Sequence, residues 1–208
     1  IANARNSSRK IDACAEAVLL HSGERPEAIM GTVDALKLRS SATLFALAGR
    51  GSGTGARMQA ILDRFFQILT DGVHRFEGSV NQYTGDGIMA LFGAPIAHED
   101  HAQRACWAAL HLQAAVRAYA DELRRTHGLS FSTRMGLNSG DVVIGRIGDD
   151  LRMDYTAQGH TVGLAQRMEQ LAEPGTICLT AHTRRLVEGY FRLRDLGPVA
   201  IKGASTPV

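Results

Sequence analysis

Apolar residues recur every three or four positions between 56 and 76, which predicts a helix that ends near Gly78. A longer helix is predicted over 98–128, because that segment is acidic at its start, basic at its end and closed by a glycine. Between the two, residues 79–92 form two mostly apolar runs around Thr-Gly-Asp-Gly. This pattern predicts a β-hairpin with Asp86 at its turn.

The second half of the chain alternates shorter elements. It predicts strands over 131–138, 142–145, 152–159 and 176–179, helices over 161–172 and 181–188, and a pair of strands within 191–202. The turn sequence Ser139-Gly140-Asp141 separates the first two strands, so several strand pairs should be antiparallel. The predicted class is α+β, with helices flanking a mainly antiparallel sheet, rather than a doubly wound parallel sheet.

The N-terminal part is less regularly patterned. Residues 1–22 look helical and are predicted to be an appendage, with the main domain over 23–208. The first core strand has two candidate positions, 23–34 and 43–51. In the first case, residues 40–50 begin the following helix. Both positions stay open from the sequence.

Composition narrows the class of protein. The 208 residues are 45% hydrophobic and 21% charged, with a net charge of +2 and no basic stripe, so a globular protein that does not bind nucleic acid is predicted. No apolar run approaches the ~20 residues of a membrane span. Cys14, Cys106 and Cys178 lie far apart without a CxxC motif, which favours reduced thiols and a cytoplasmic location.

Four motifs occur in a recognisable order. They are VNQYTGDGIMALFGAP at 80–95, RMGLNSGDVVIGRIG at 134–148, DYTAQGHTVGLAQRM at 154–168 and IKG at 201–203. Together they resemble the catalytic domain of class III nucleotidyl cyclases, from about Ala56 to the end of the chain. The resemblance implies a ferredoxin-like cyclase fold. It also implies an enzyme that converts ATP, or less favourably GTP, into a 3′,5′-cyclic nucleotide and pyrophosphate.

Members of that family hold two Mg²⁺ or Mn²⁺ ions with two aspartates, since carboxylate oxygens suit these hard cations. The resemblance places Asp86 at one metal position. The second metal aspartate ends the first core strand of the family. It corresponds to Asp34 if that strand is 23–34, and to Leu47, which cannot bind a metal, if it is 43–51.

The resemblance also assigns nucleotide-binding residues. Arg167 matches the arginine that stabilises charge on the transferring phosphate, a task suited to a guanidinium. Arg134 and Lys202 match positions that contact the triphosphate, and Gly85 beside Asp86 lets the triphosphate approach closely. The two positions that read the base correspond to Gln82 and Thr156.

Two positions depart from the family pattern. Gln82 stands where many adenylyl cyclases have a lysine, and a glutamine amide both donates and accepts, so it discriminates less between adenine and guanine. Gly163 stands where the family has the asparagine that orients the ribose, and glycine offers no side-chain hydrogen bond. Both departures leave open a second function, that of a catalytically degenerate cyclase-homology module that dimerises, binds nucleotide and regulates an attached domain.

The family also implies a partner. Its metal aspartates come from one subunit, while the residues matching Arg167, Thr156 and Lys202 come from the other. The chain is therefore expected to form a two-fold homodimer, or a heterodimer with another cyclase chain.

Overall fold

The computed structural model describes residues 29–40, 55–94, 96–146, 155–158 and 160–199. The predicted appendage at 1–22, the alternative first strand at 43–51 and Lys202 lie outside these residues. Within them, no helix is long and apolar enough to cross a membrane.

Helices and strands alternate along the described chain. The strands are β1 (Ile29–Ser40), β2 (Ser79–Thr84), β3 (Gly87–Phe92), β4 (Thr133–Arg146), β5 (Tyr155–Gln158) and β6 (Ile177–Leu179). The helices are α1 (Gly55–His74), α2 (His101–His127), α3 (His160–Leu171) and α4 (Ala181–Leu186). The strand order is β2-β3-β1-β4-β5, all antiparallel, and β6 pairs with β4 in parallel. The predicted α+β class with a mainly antiparallel sheet is confirmed.

The sheet separates two apolar layers, because successive side chains of a strand point to opposite faces. Leu36 and Leu38 of β1 contribute to the larger core, which also contains Phe65 of α1 and Leu112 of α2. Ala35 belongs to a smaller cluster on the other face, which contains residues of α3. Helix α3 therefore covers one face of the sheet, and α1 and α2 cover the other.

The predicted turn at Ser139-Gly140-Asp141 is wrong, because β4 runs through these residues without a break. They pair with Asp34, Val33 and Thr32 of β1, so the sheet holds them extended. Gly140 is instead required by packing: a Cβ atom there would lie 2.7 Å from Thr161 Oγ1 of α3. A glycine between polar residues is a turn signal in isolation. Only the neighbouring strand and helix show that Gly140 instead allows the close approach of Thr161 to β4.

The predicted strands at the C-terminal end differ as well. Residues 192–199 have no regular secondary structure, and residues 200–208 lie outside the described part of the chain. The side chains of 192–199 are mostly exposed. Residues 192–199, predicted as part of a pair of strands, are therefore not buried against the sheet.

Candidate functional site

The turn that carries Asp86 is fixed to the end of β1, the central strand of the sheet. Gly85 has a left-handed φ of +39°, and Thr84 pairs with Gly87 across the hairpin. The Ser40 N–H at the end of β1 donates to the Asp86 carbonyl oxygen at 2.8 Å. A Cβ atom on Gly87 would lie 1.9 Å from the carbonyl oxygen of Leu38, so glycine permits this close contact. The Asp86 backbone is thus held firmly against the end of β1.

The Asp86 carboxylate has a partner that the sequence did not suggest. The Arg39 guanidinium donates from Nε to Asp86 Oδ2 and forms an ion pair with it. This hydrogen bond and the negative charge raise the pKa of Arg39. The Arg39 side chain is 54% exposed and that of Asp86 is 25% exposed, so solvent reaches the pair. Only the register of β1 reveals this contact, because the two residues are 47 positions apart in the chain.

Further charged side chains surround this ion pair. Arg39 lies opposite Arg134 of β4, and Lys37 lies two residues earlier on the same face of β1. Glu169 of α3 is buried, and that burial raises the pKa of its carboxyl against the attraction of the cations Arg39, Arg134 and Lys37. Burial likewise lowers the pKa of Lys37. Three cations and two carboxyl groups therefore lie together on this side of the sheet.

Helix α3 approaches this charged face closely because β4 has a glycine there. A Cβ atom on Gly136 would lie 2.1 Å from both the Ala165 carbonyl oxygen and the Glu169 nitrogen. The same helix carries Arg167, whose side chain is half-buried. It also carries Gly163, where an added Cβ atom would have no atom of another described element within 4 Å. A side chain at 163 would therefore meet open space.

A buried polar network joins β4 to the starts of α3 and α4. Asn138 Nδ2 donates to the Thr161 carbonyl oxygen at 3.0 Å, and its Oδ1 accepts from Thr180 Oγ1 at 2.8 Å. The Ser139 N–H donates to Thr183 Oγ1 at 2.8 Å. The sequence did not predict this network, because β4 contains several other polar residues and the partners of Asn138 and Ser139 lie 23 to 44 positions away in the chain. The network fixes the N-terminal end of α3, the helix that carries Arg167.

The structure does not bring Asp34 and Asp86 together. Asp34 lies within β1, opposite Phe92 and Ser139, and precedes Ser40 by six residues (40 − 34). At ~3.4 Å per strand residue this separates its backbone from the hairpin turn by about 20 Å. The strand predicted to stop at Asp34 continues to Ser40, so Arg39 occupies the end of β1 instead. The alternative position, Leu47, lies outside the described residues.

The other expected site residues are spread over the sheet. Gln82 is exposed on β2, beside an irregularity in its pairing with β3. Thr156 lies on β5, opposite Gly145, at the other end of the strand order. Arg134 lies in β4 on the charged face described above. Their roles in binding a nucleotide stay predictions.

The described residues do not supply the donor set of a two-metal site. Among them, no group of three or more His, Cys, Asp and Glu side chains could hold a metal ion. Asp86 is paired with Arg39, and Glu169, the other carboxyl group near it, is buried with a raised pKa. A Mg²⁺ or Mn²⁺ ion needs several accessible oxygen ligands. In the part of the chain that is described, Asp86 is one candidate ligand without a second.

Comparison with known proteins relates most of the chain to a family of cyclase domains. Residues 47–208 match the adenylate and guanylate cyclase catalytic domain. Residues 4–75 also match a family of unknown function, DUF1810. The chain is 34% identical to adenylate cyclase 1 of Rhizobium meliloti (strain 1021) over 150 residues, which is 71% of this chain and 22% of that protein. The chain thus spans less than a quarter of that relative's length.

Solved structures agree with this match. The adenylyl cyclase CyaB from P. aeruginosa superposes with a TM-score of 0.79 at 24% identity, covering 87% of this chain and 92% of that one, and so shows the fold. The guanylate cyclase domain of RhGC from Catenaria anguillulae, solved with GTP, superposes with a TM-score of 0.70 at 26% identity, covering 89% and 95% of the two chains. Because the family match spans most of the sequence, the chain belongs to the adenylate and guanylate cyclase catalytic domain family.

Proposed function

We propose that this domain is a purine nucleotide cyclase of low turnover that converts ATP, and less readily GTP, into a 3′,5′-cyclic nucleotide and pyrophosphate. The observation that carries the proposal is the position of Asp86. In a domain of the cyclase family, it sits on a hairpin tip that the sheet holds in place, next to a face with three cations. The relative named adenylate cyclase 1 supports ATP, and the structural neighbour solved with GTP keeps GTP as the second substrate.

In this proposal the protein binds and orients the nucleotide. Arg134 and Lys202 bind the triphosphate, and Gln82 and Thr156 face the base. The 3′-hydroxyl oxygen forms a bond to the α-phosphorus and gives its proton to solvent water, while the bond from that phosphorus to the pyrophosphate oxygen breaks. Arg167 stabilises the charge that builds on the phosphate oxygens. Mg²⁺ or Mn²⁺, two per site, stays a prediction from the family, because the described residues do not complete such a site.

The proposed active unit is a dimer. If this chain lacks a metal-binding carboxylate, both sites of a homodimer would lack it. In a heterodimer the other chain could supply the missing carboxylate, because the family divides each site between subunits. A second cyclase chain with both aspartates could combine with Arg167, Thr156 and Lys202 of this one. A cytoplasmic location, based on the spacing of the cysteines, stays a prediction.

Replacing Asp86 with asparagine is expected to lower product formation by about 100-fold or more, since it removes a carboxylate from the reaction centre without changing its shape. The measurement is the cyclic nucleotide formed from ATP or GTP with Mg²⁺ or Mn²⁺. Asp63→Asn is the matched control, because Asp63 is an exposed carboxylate of α1 that accepts from Gln59 at 2.7 Å. No cyclic nucleotide from the wild type would rule out the proposed reaction, and equal product from the wild type and the Asp86 variant would rule out the proposed role of Asp86.

A second candidate function is a dimerising regulatory module that binds nucleotide without converting it. The Arg39–Asp86 ion pair and the distance of Asp34 from the hairpin turn favour it. Equilibrium binding of ATP with no cyclic nucleotide formed, at protein concentrations where the dimer is measured by sedimentation, would select this function over the cyclase.

Restoring the family's ribose-orienting side chain is expected to raise turnover. Gly163→Asn should fit, because the space around position 163 is open, and should increase cyclic nucleotide formation by about 10-fold or more by adding a transition-state hydrogen bond. The control is Gly163→Ala, which fills the same space without a polar group and should leave turnover near the wild-type value. Equal rates for both variants would contradict the ribose-orienting role that the family resemblance assigns to position 163.

A further inference from the structure

The end of β1 presents a cation beside the Asp86 carboxylate. Arg39 is held in register opposite Gly87, next to Asp86, and the Ser40 N–H to Asp86 carbonyl hydrogen bond ties the same two backbone segments together. The guanidinium is thereby kept within reach of the Asp86 carboxylate. The strand register thus places the two side chains close enough to form the ion pair.

Two further cations near Arg39 also oppose the approach of a divalent cation to Asp86. Lys37 and Arg134 lie on the same face of the sheet as Arg39, and the carboxyl of Glu169 is buried beneath them with a raised pKa. A divalent cation that binds to Asp86 must replace the guanidinium as its partner and must also approach these positive charges. Like charges a few ångströms apart repel each other noticeably, even where water reaches them.

We propose that Arg39 competes with divalent cations for Asp86 and so weakens metal binding at the hairpin turn of this chain. This inference rests on the proposed role of Asp86 as a metal ligand. Because the Arg39 side chain is 54% exposed, the pair is of the solvated kind that contributes modestly, so a metal ion at high concentration displaces it.

The test is direct titration with Mn²⁺ in the absence of nucleotide, with free Mn²⁺ measured by electron paramagnetic resonance. The wild type, Arg39→Gln, Asp86→Asn and the double variant are compared at low ionic strength. We expect Arg39→Gln to bind the ion about 5- to 10-fold more tightly than the wild type, from the lost competitor and the lost repulsion. Both proteins with Asp86→Asn should lose this binding, and added salt should narrow the difference.

Arg64→Gln is the matched control. Arg64 is also an exposed arginine in an ion pair, with Glu122 at 2.8 Å, so this variant frees a carboxylate elsewhere on the surface. It should bind Mn²⁺ like the wild type. Equal affinity of the wild type and Arg39→Gln would overturn the inference, as would binding that survives Asp86→Asn in every background. Cyclic nucleotide formation is measured separately, so a failure of the proposed reaction is distinguished from a failure of metal competition.

Discussion

Gly136→Ala is expected to destabilise the domain by about 3 kcal/mol, the range in which overpacking of a close backbone contact falls. The added methyl group would lie 2.1 Å from the Ala165 carbonyl oxygen and from the Glu169 nitrogen. Both are backbone atoms of α3, so no side-chain rotation relieves the overlap. The helix must move away from β4, which also opens the charged face below it. Urea unfolding followed by circular dichroism measures the loss.

Gly163→Ala, in the helix α3 that packs on Gly136, provides the matched control. A Cβ atom at this position would have no atom of another described element within 4 Å. Alanine favours a helix over glycine by about 1 kcal/mol, so this variant should be more stable than the wild type. A Gly136→Ala variant as stable as the Gly163→Ala variant would mean that α3 does not pack on β4 as the structure has it.

Asn138→Ala is expected to destabilise the domain by about 3 kcal/mol, through a cavity and through the hydrogen bonds that it removes. The Asn138 side chain is 1% exposed and bridges the Thr161 carbonyl oxygen and the Thr180 hydroxyl. Its loss leaves the Thr161 carbonyl oxygen without this donor inside the protein, where water cannot easily replace it. Since Thr161 lies in the first turn of the helix that carries Arg167, the position of that arginine should loosen too.

Asn81→Ala is the corresponding control. The Oδ1 atom of Asn81 is buried but has no hydrogen-bond partner among the described residues. Removing it should therefore cost less than about 1 kcal/mol. Chemical denaturation of both variants at equal protein concentration compares them, and a loss of stability as large for Asn81→Ala as for Asn138→Ala would contradict the assigned network.

Most of the local structure was predictable from the sequence, because it depends on residues that are close together in the chain. Helical spacing of apolar residues placed α1 and α2 within three residues of their observed ends. The Asp-Gly pair placed the hairpin turn, because turn geometry depends on neighbours in the chain. The prediction failed at Ser139-Gly140-Asp141, where a local turn signal is overridden by pairing with β1 and by the close approach of Thr161.

The family, the two long helices and the location of Asp86 on a hairpin can all be read from the sequence. Each of these depends on residues near one another in the chain or on motifs in a recognisable order. The residue of β1 that meets the hairpin, by contrast, is known only from the folded domain. A strand can slide by one residue against its neighbours without changing its own pattern, so its register is set by long-range pairing and burial. That register places Arg39, and not Asp34, beside Asp86.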